Sequence, residues 1–167
     1  LSVENRMILY VSTELCSLVF QSNDFSTGHL VGSAIFGDGA SSVVISPDNQ
    51  GLVFVDSQSY LIPNTRHLMG YDIMDDGWHL RLDKELPQAL TSFVPEIVSQ
   101  FLSKNSFTTQ DINWWLIHPG SSKILNYLDK ILSIRDEQSI FAKEVLRKVG
   151  NLSSSSIIFV LKEFLDS

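Results

Sequence analysis

Apolar residues at Leu90, Phe93, Val94, Ile97, Val98 and Phe101 recur at the three- and four-residue spacings that line one face of a helix, whereas RMILYVSTELC (6–16) keeps its apolar and β-branched residues in a nearly unbroken run. The first pattern cannot lie flat in a sheet, and the second reads as a buried strand. A chain that carries both must layer helices on strands, which makes it α/β. The alternation continues downstream. INWWLI (112–117) reads as a short strand, SSKILNYLDKILS (121–133) as a helix capped by Ser121 or Ser122, and DEQSIFAKEVLRKVG (136–150) as a helix stopped by Gly150. NLSSSSIIFVLKEFLDS (151–167) reads as a helix with a polar first turn. Upstream, GHLVGSAIFGDGASSVVISPDNQG (28–51) reads as a short apolar segment, a Gly-rich turn at 37–39 and a strand ending in a Pro-Asp-Asn-Gln-Gly loop. LVFVDSQSYLI (52–62) is a further strand candidate, and 63–79 is a polar-to-aromatic connection. Pro95 predicts a kink in the helix that starts near Pro87, and Thr108 or Thr109 is a plausible cap beyond it.

Composition narrows the function classes. Hydrophobic residues make up 44% and charged residues 19% of 167, so the chain has the material for a packed core and is not of the disordered class. A net charge of −7 argues against a nucleic-acid surface, though a helix N-terminus or a few local cations can still hold a phosphorylated ligand. The one cysteine, Cys16, has no internal disulfide partner, which points to a reducing cytoplasm. No apolar run approaches the about 18 residues of a membrane span, and LSVENRMILYVSTELC lacks the basic leader of a secretory signal. The first residue is Leu, from which the sequence is expected to be a fragment.

Three short stretches carry chemical potential. In GDG (37–39), glycines flank Asp38 and permit positive φ or close backbone approach; alone, this reads as a tight turn. His118 ends the run WWLIH and precedes Pro-Gly and a helix start, the position at which open α/β sheets place ligands; a buried histidine with satisfied nitrogens is the plainer reading. In GNLSSSS (150–156), Asn151 follows a helix-ending glycine and can cap the next helix, but four serines are more than capping requires.

In their order and spacing these stretches form a pattern. VSTELCSLVFQ, HLVGSAIFGDGASSVVI, MGYDIMDDGWHLRLDKELP, WWLIHPGSSKIL and VLRKVGNLSSSSIIFVL together resemble the C-terminal portion of a type III polyketide synthase of the chalcone/stilbene synthase family, in a bacterial style. The resemblance runs from about residue 8 to about 164 and implies a thiolase-like layered α/β fold, incomplete here. Residues 1–60 would end the N-terminal half, and residues 61–167 would form a truncated C-terminal domain. It implies that His118, in His-Pro-Gly, and Asn151, in Gly-Asn-x-Ser-Ser, are catalytic. Phe36 and Trp78 would be the aromatic gate between substrate tunnel and reaction chamber, with Trp78 a departure from the more usual Phe. Cys16 and Val19 would line the chamber, and Lys123 would meet coenzyme A phosphates. Ser121 stands where the family usually has a second glycine after Pro-Gly, so the local backbone there is in question.

The implied reaction loads an acyl group from its coenzyme A thioester onto a cysteine, decarboxylates malonyl-coenzyme A, and joins the enolate to the acyl group. Negative charge gathers on a thioester oxygen, where Asn151 and His118 could donate hydrogen bonds. No metal or redox cofactor is expected; acyl- and malonyl-coenzyme A are substrates, and the family implies a homodimer. The nucleophilic cysteine is expected upstream of RMILYVSTELC, because Cys16 matches a chamber-wall position, so these 167 residues alone should be inactive. Two other readings stand beside this one. The first is a ketoacyl-[acyl carrier protein] synthase of fatty-acid synthesis, whose histidine context IHPGSS does not match. The second is a non-catalytic homologue that pairs with a full-length partner.

Overall fold

Among the described residues, two antiparallel strand pairs and five α-helices carry the fold. The computed structural model describes residues 6–48 and 51–167. Residues 1–5, at the start of the stretch read for a leader, and residues 49–50 of the Pro-Asp-Asn-Gln-Gly loop lie outside the described residues.

Strand β1 (Ile8–Glu14) pairs antiparallel with β2 (Gly39–Ile45), in register from Ile8↔Ile45 to Glu14↔Gly39. The run in β1 was read as a buried strand, but Leu9 is 63% and Val11 60% exposed. Only Ser12 of β1 is buried. A two-stranded sheet has few neighbours to cover its faces.

Between the two strands lies a helix rather than an unassigned apolar segment. Helix α1 (Thr27–Ile35) starts at Ser26, whose Oγ accepts the His29 N–H at 3.3 Å. Gly32 lets α1 press onto a second strand pair: a Cβ there would lie 2.2 Å from Leu80 Cδ2. That pair is β3 (Met69–Met74) with β4 (Gly77–Leu82), a hairpin joined through Asp75 and Asp76. It replaces the connection expected over 63–79. Its local signal was Asp76-Gly77, with Gly77 at φ 134°.

The strand expected over 52–62 does not form. The segment has no ladder partner among the described residues, and Val53, Phe54 and Val55 stand exposed. It is tied down at Asp56, whose carboxylate accepts from Lys104 Nζ and Asn105 Nδ2, both at 2.9 Å. Those donors close helix α2 (Leu86–Lys104). That helix runs unbroken through Pro95, giving up the one hydrogen bond for which proline has no N–H.

The remaining helices are α3 (Ser122–Leu132), α4 (Ile140–Val149) and α5 (Ser156–Leu165). Ser121 caps α3 by accepting the Ile124 N–H at 3.2 Å. Leu125, Phe141, Ala142, Val145 and Val160 form the core of this part, with Leu116 and Ile117 packed on it. Trp114, Phe141 and Phe164 add a cluster of rings with centroids 5.2–6.2 Å apart. Residues 112–117 do not form a strand, against expectation. Their tether is Gln138: Trp115 N–H donates to its carbonyl at 2.8 Å, and its Nε2 donates to the Ile112 carbonyl at 2.7 Å. Among the described residues, no helix is long and apolar enough to cross a membrane.

Candidate active site

The site is built around Asn151, which is 2% exposed. Helix α4 ends at Gly150, with φ 77° and ψ −158°, a region essentially restricted to glycine. The turn delivers Asn151 alongside Phe36: Asn151 N–H donates to the Ile35 carbonyl and its carbonyl accepts from Gly37 N–H, both at 2.9 Å. Its carboxamide is also held. Nδ2 donates to the Gly120 carbonyl at 3.1 Å, while Oδ1 accepts from Ser153 N–H at 2.9 Å and from Ser156 Oγ at 3.3 Å.

The Gly120 carbonyl is in place because the chain turns sharply at Pro119. Gly120 N–H donates to the His118 carbonyl at 2.9 Å across a three-residue turn whose proline is fully buried. One short turn therefore carries His118 on one side and holds Asn151 on the other. The plainer reading of His118 as a core histidine fails. Its side chain is exposed and has no hydrogen-bond partner among the described residues. Partial desolvation by the surrounding chain lowers its pKa, favouring neutral imidazole at pH 7.

The serines after Asn151 divide the work. Ser153, at φ 52°, turns its N–H to Asn151. Ser154 donates its hydroxyl to the Glu14 carboxylate on β1. Ser155 Oγ reaches the carbonyls of Ser12 and Gly39 at 3.2 and 3.3 Å, stitching this turn to both strands. Ser156 serves Asn151. Asp38, read as part of a plain turn, accepts from Ser17 N–H at 2.7 Å and Ser17 Oγ at 2.6 Å. It thereby fastens the 3₁₀ turn Cys16–Val19 beside Phe36.

These contacts gather a second region. A cavity of about 420 Å³ is lined by Cys16, Val19, Phe20, His29, Phe36 and Tyr71, among others. Trp78 adjoins it, its ring 5.8 Å from that of Tyr71. His118 and Asn151 lie outside this wall, joined to it through the Phe36–Asn151 bridge. Burial and the carboxylates of Glu14 and Asp38 push the Cys16 thiol pKa up, the wrong direction for a nucleophile. Lys123 sits exposed in the first turn of α3, its Nζ 5.9 Å above the Tyr127 ring.

Sequence reasoning passed over His29, which is 3% exposed, with Nε2 accepting from Gln21 N–H at 3.3 Å and near Ser33 Oγ at 3.2 Å. It also passed over His79, next to Trp78. His79 Nε2 meets Asp76 at 3.0 Å and Nδ1 meets Asp24 at 3.5 Å, which holds the hairpin against the 20–26 loop. The Asp76 hydrogen bond, seconded by Asp24, raises the His79 pKa. A raised folded-state pKa stabilises below the unfolded value and loses that contribution as pH rises through the folded value. In a proton NMR titration His79 should therefore titrate above the ordinary value of about 6.5, and Asp76→Asn should move it down.

The chain is similar to known proteins. Residues 53–167 match the family model of the chalcone and stilbene synthases, C-terminal domain. The 1,3,6,8-tetrahydroxynaphthalene synthase of Streptomyces coelicolor is 30% identical over 159 residues, covering 95% of this chain and 42% of that enzyme. The phloroglucinol synthase of Pseudomonas fluorescens is 30% identical over 164 residues, 96% of this chain and 46% of that enzyme. Among solved structures, the C-terminal type III polyketide synthase domain of the Dictyostelium hybrid Steely1 superposes with a TM-score of 0.88 at 31% identity, over 96% of this chain and 47% of that one. The Streptomyces coelicolor synthase superposes at 0.91 and 27% identity, over 97% of this chain and 47% of that one. The chain thus spans less than half the length of these relatives.

Proposed function

Because this chain belongs to the chalcone and stilbene synthase family, with residues 53–167 matching the C-terminal domain, we propose that it supplies the oxyanion-binding part of a type III polyketide synthase active site. The supporting observation is the shared turn: the Gly120 carbonyl holds Asn151 Nδ2 at 3.1 Å while His118 stands exposed two residues earlier. A carboxamide has two N–H donors, and Gly120 takes one. The second, with a neutral imidazole N–H of His118, would bind a thioester oxygen as charge develops on it. In the proposed cycle His118 takes the proton of a cysteine thiol, the thiolate displaces coenzyme A from its acyl thioester, and the departing coenzyme A sulfur takes that proton back, leaving His118 neutral. Malonyl-coenzyme A then loses carbon dioxide, and its enolate carbon attacks the acyl thioester, forming the carbon–carbon bond and releasing the cysteine thiolate. This chemistry calls for no metal or redox cofactor.

Cys16, with its raised pKa and its place in the cavity wall, is the wrong thiol for that role, so the nucleophile belongs to a segment outside these 167 residues. Phe36 and Trp78 would then gate the 420 Å³ cavity, Cys16 and Val19 would set its volume, and Lys123 would meet coenzyme A phosphate. In this proposal residues 1–60 complete the cysteine-bearing half and 61–167 form the C-terminal domain, in a cytoplasmic homodimer.

The test is condensation. Incubated alone with malonyl-coenzyme A, the chain should give no triketide lactone. Fused behind the cysteine-bearing portion of the Streptomyces coelicolor synthase, in place of the part it matches, it should give a polyketide product. Product from the isolated chain would sink the assignment of the nucleophile. A folded fusion that makes nothing would favour a non-catalytic homologue that only pairs with a complete enzyme.

A further inference from the structure

We infer that Ser156 is a positioning residue for Asn151, holding its carboxamide with the N–H side toward Gly120 and the oxygen turned away; this rests on the catalytic reading of Asn151. Ser156 is fully buried, and its hydroxyl proton has a single use. Leu152 N–H, which can only donate, points at Ser156 Oγ at 2.7 Å. The oxygen is therefore the acceptor there, which leaves its proton for Asn151 Oδ1 at 3.3 Å. Ser153 N–H, again only a donor, meets the same Oδ1 at 2.9 Å. On the other side, the Gly120 carbonyl can only accept and meets Nδ2 at 3.1 Å.

Rotating the carboxamide by half a turn would set NH₂ against the Ser153 N–H and the oxygen against the Gly120 carbonyl. Each is a pair of like partners, with buried donors and acceptors left unmade. Ser153 and Gly120 thus reject the flipped amide, and Ser156 narrows the rotation that remains. The consequence is chemical. One Nδ2 proton is committed to Gly120, and the other is kept at a fixed direction, available to a thioester oxygen before the charge forms. A loosely held amide would spend part of its time misdirected. Ser156 touches no reacting atom and acts only through Asn151. It also accounts for the fourth serine of GNLSSSS, which capping leaves unused.

Two measurements test the inference. In ¹H–¹⁵N spectra of the chain, the two Nδ2 protons of Asn151 should be resolved, with the Gly120-bound one exchanging more slowly with solvent. Ser156→Ala should bring their exchange rates together, and Ser156→Cys, which keeps the volume and a weak donor, should fall between. In the active fusion, Ser156→Ala should lower kcat about tenfold with KM unchanged, because a loosened Asn151 amide weakens a donor whose hydrogen bond strengthens as the transition state forms. In an Asn151→Ala background the same change should have no further effect on kcat. An unaltered Asn151 amide in Ser156→Ala, or an equal loss of kcat in both backgrounds, would overturn the inference. Full activity of Asn151→Ala itself would instead overturn the catalytic reading on which it rests.

Discussion

Asn151→Ala, in the active fusion, should lower the rate of product formation about 10²–10³-fold, the usual consequence of removing one oxyanion donor. Asn151 is buried, and its backbone is fixed on both sides by Ile35 and Gly37 at 2.9 Å, so truncating the side chain leaves the main chain where it was. What disappears is the carboxamide, both its Nδ2 donor and the Oδ1 acceptor that Ser153 and Ser156 use. KM for malonyl-coenzyme A should change little, because the oxygen carries little charge in the ground state. Steady-state kinetics on the fusion checks this. A fall in kcat/KM carried wholly by KM would mean that Asn151 binds substrate and transition state alike. His118→Ala should act in the same direction, and losses in the double variant should fall short of the product of the two, since both donors serve one oxygen.

Gly150→Ala should cost about 3 kcal/mol of stability, a fall in Tm of about 6–12 °C for a domain of this size. Two effects combine. The backbone at φ 77°, ψ −158° is strained for any residue with a Cβ. That Cβ would also lie 2.7 Å from the Ile35 carbonyl oxygen. This oxygen cannot simply retreat, because it accepts the Asn151 N–H at 2.9 Å. Relief must come from parting α1 from the Asn151 turn, so activity should fall along with stability. Urea unfolding followed by circular dichroism measures the first effect. A loss under about 1 kcal/mol would show that the turn relaxes without cost. Gly150 holds the backbone of Asn151, whereas Ser156 holds its amide and accepts the neighbouring Leu152 N–H.

The helices of the second half were legible because their signals are local. The three- and four-residue apolar spacing of 90–101, Ser121 before α3 and Gly150 after α4 need no distant partner to be read. The strands were less legible. Residues 52–62 and 112–117 have strand composition, yet a strand is a pairing, and the described residues offer neither segment a ladder. The opposite happened at 69–82, where a hairpin formed around Asp75-Asp76-Gly77 from residues that read as a connection. Helix α1 was missed because Gly28 and Gly32 weaken its local preference; its reason for forming is Leu80, 48 residues beyond Gly32 and packed into the space Gly32 leaves.

The candidate residues divide the same way. The motifs His-Pro-Gly and Gly-Asn-x-Ser-Ser are strings, and a string can be recognised without a fold. From the sequence alone came the α/β class, the family resemblance and the candidacy of His118 and Asn151, all of which are carried by order and spacing. The tertiary structure decided which way the Asn151 amide faces, that Asp38 anchors Cys16–Val19, and that His118 is exposed rather than buried. Each of these depends on a group far along the chain. Gly120 and Asn151 stand 31 residues apart, and no periodicity or propensity records which carbonyl will lie within 3.1 Å of which amide.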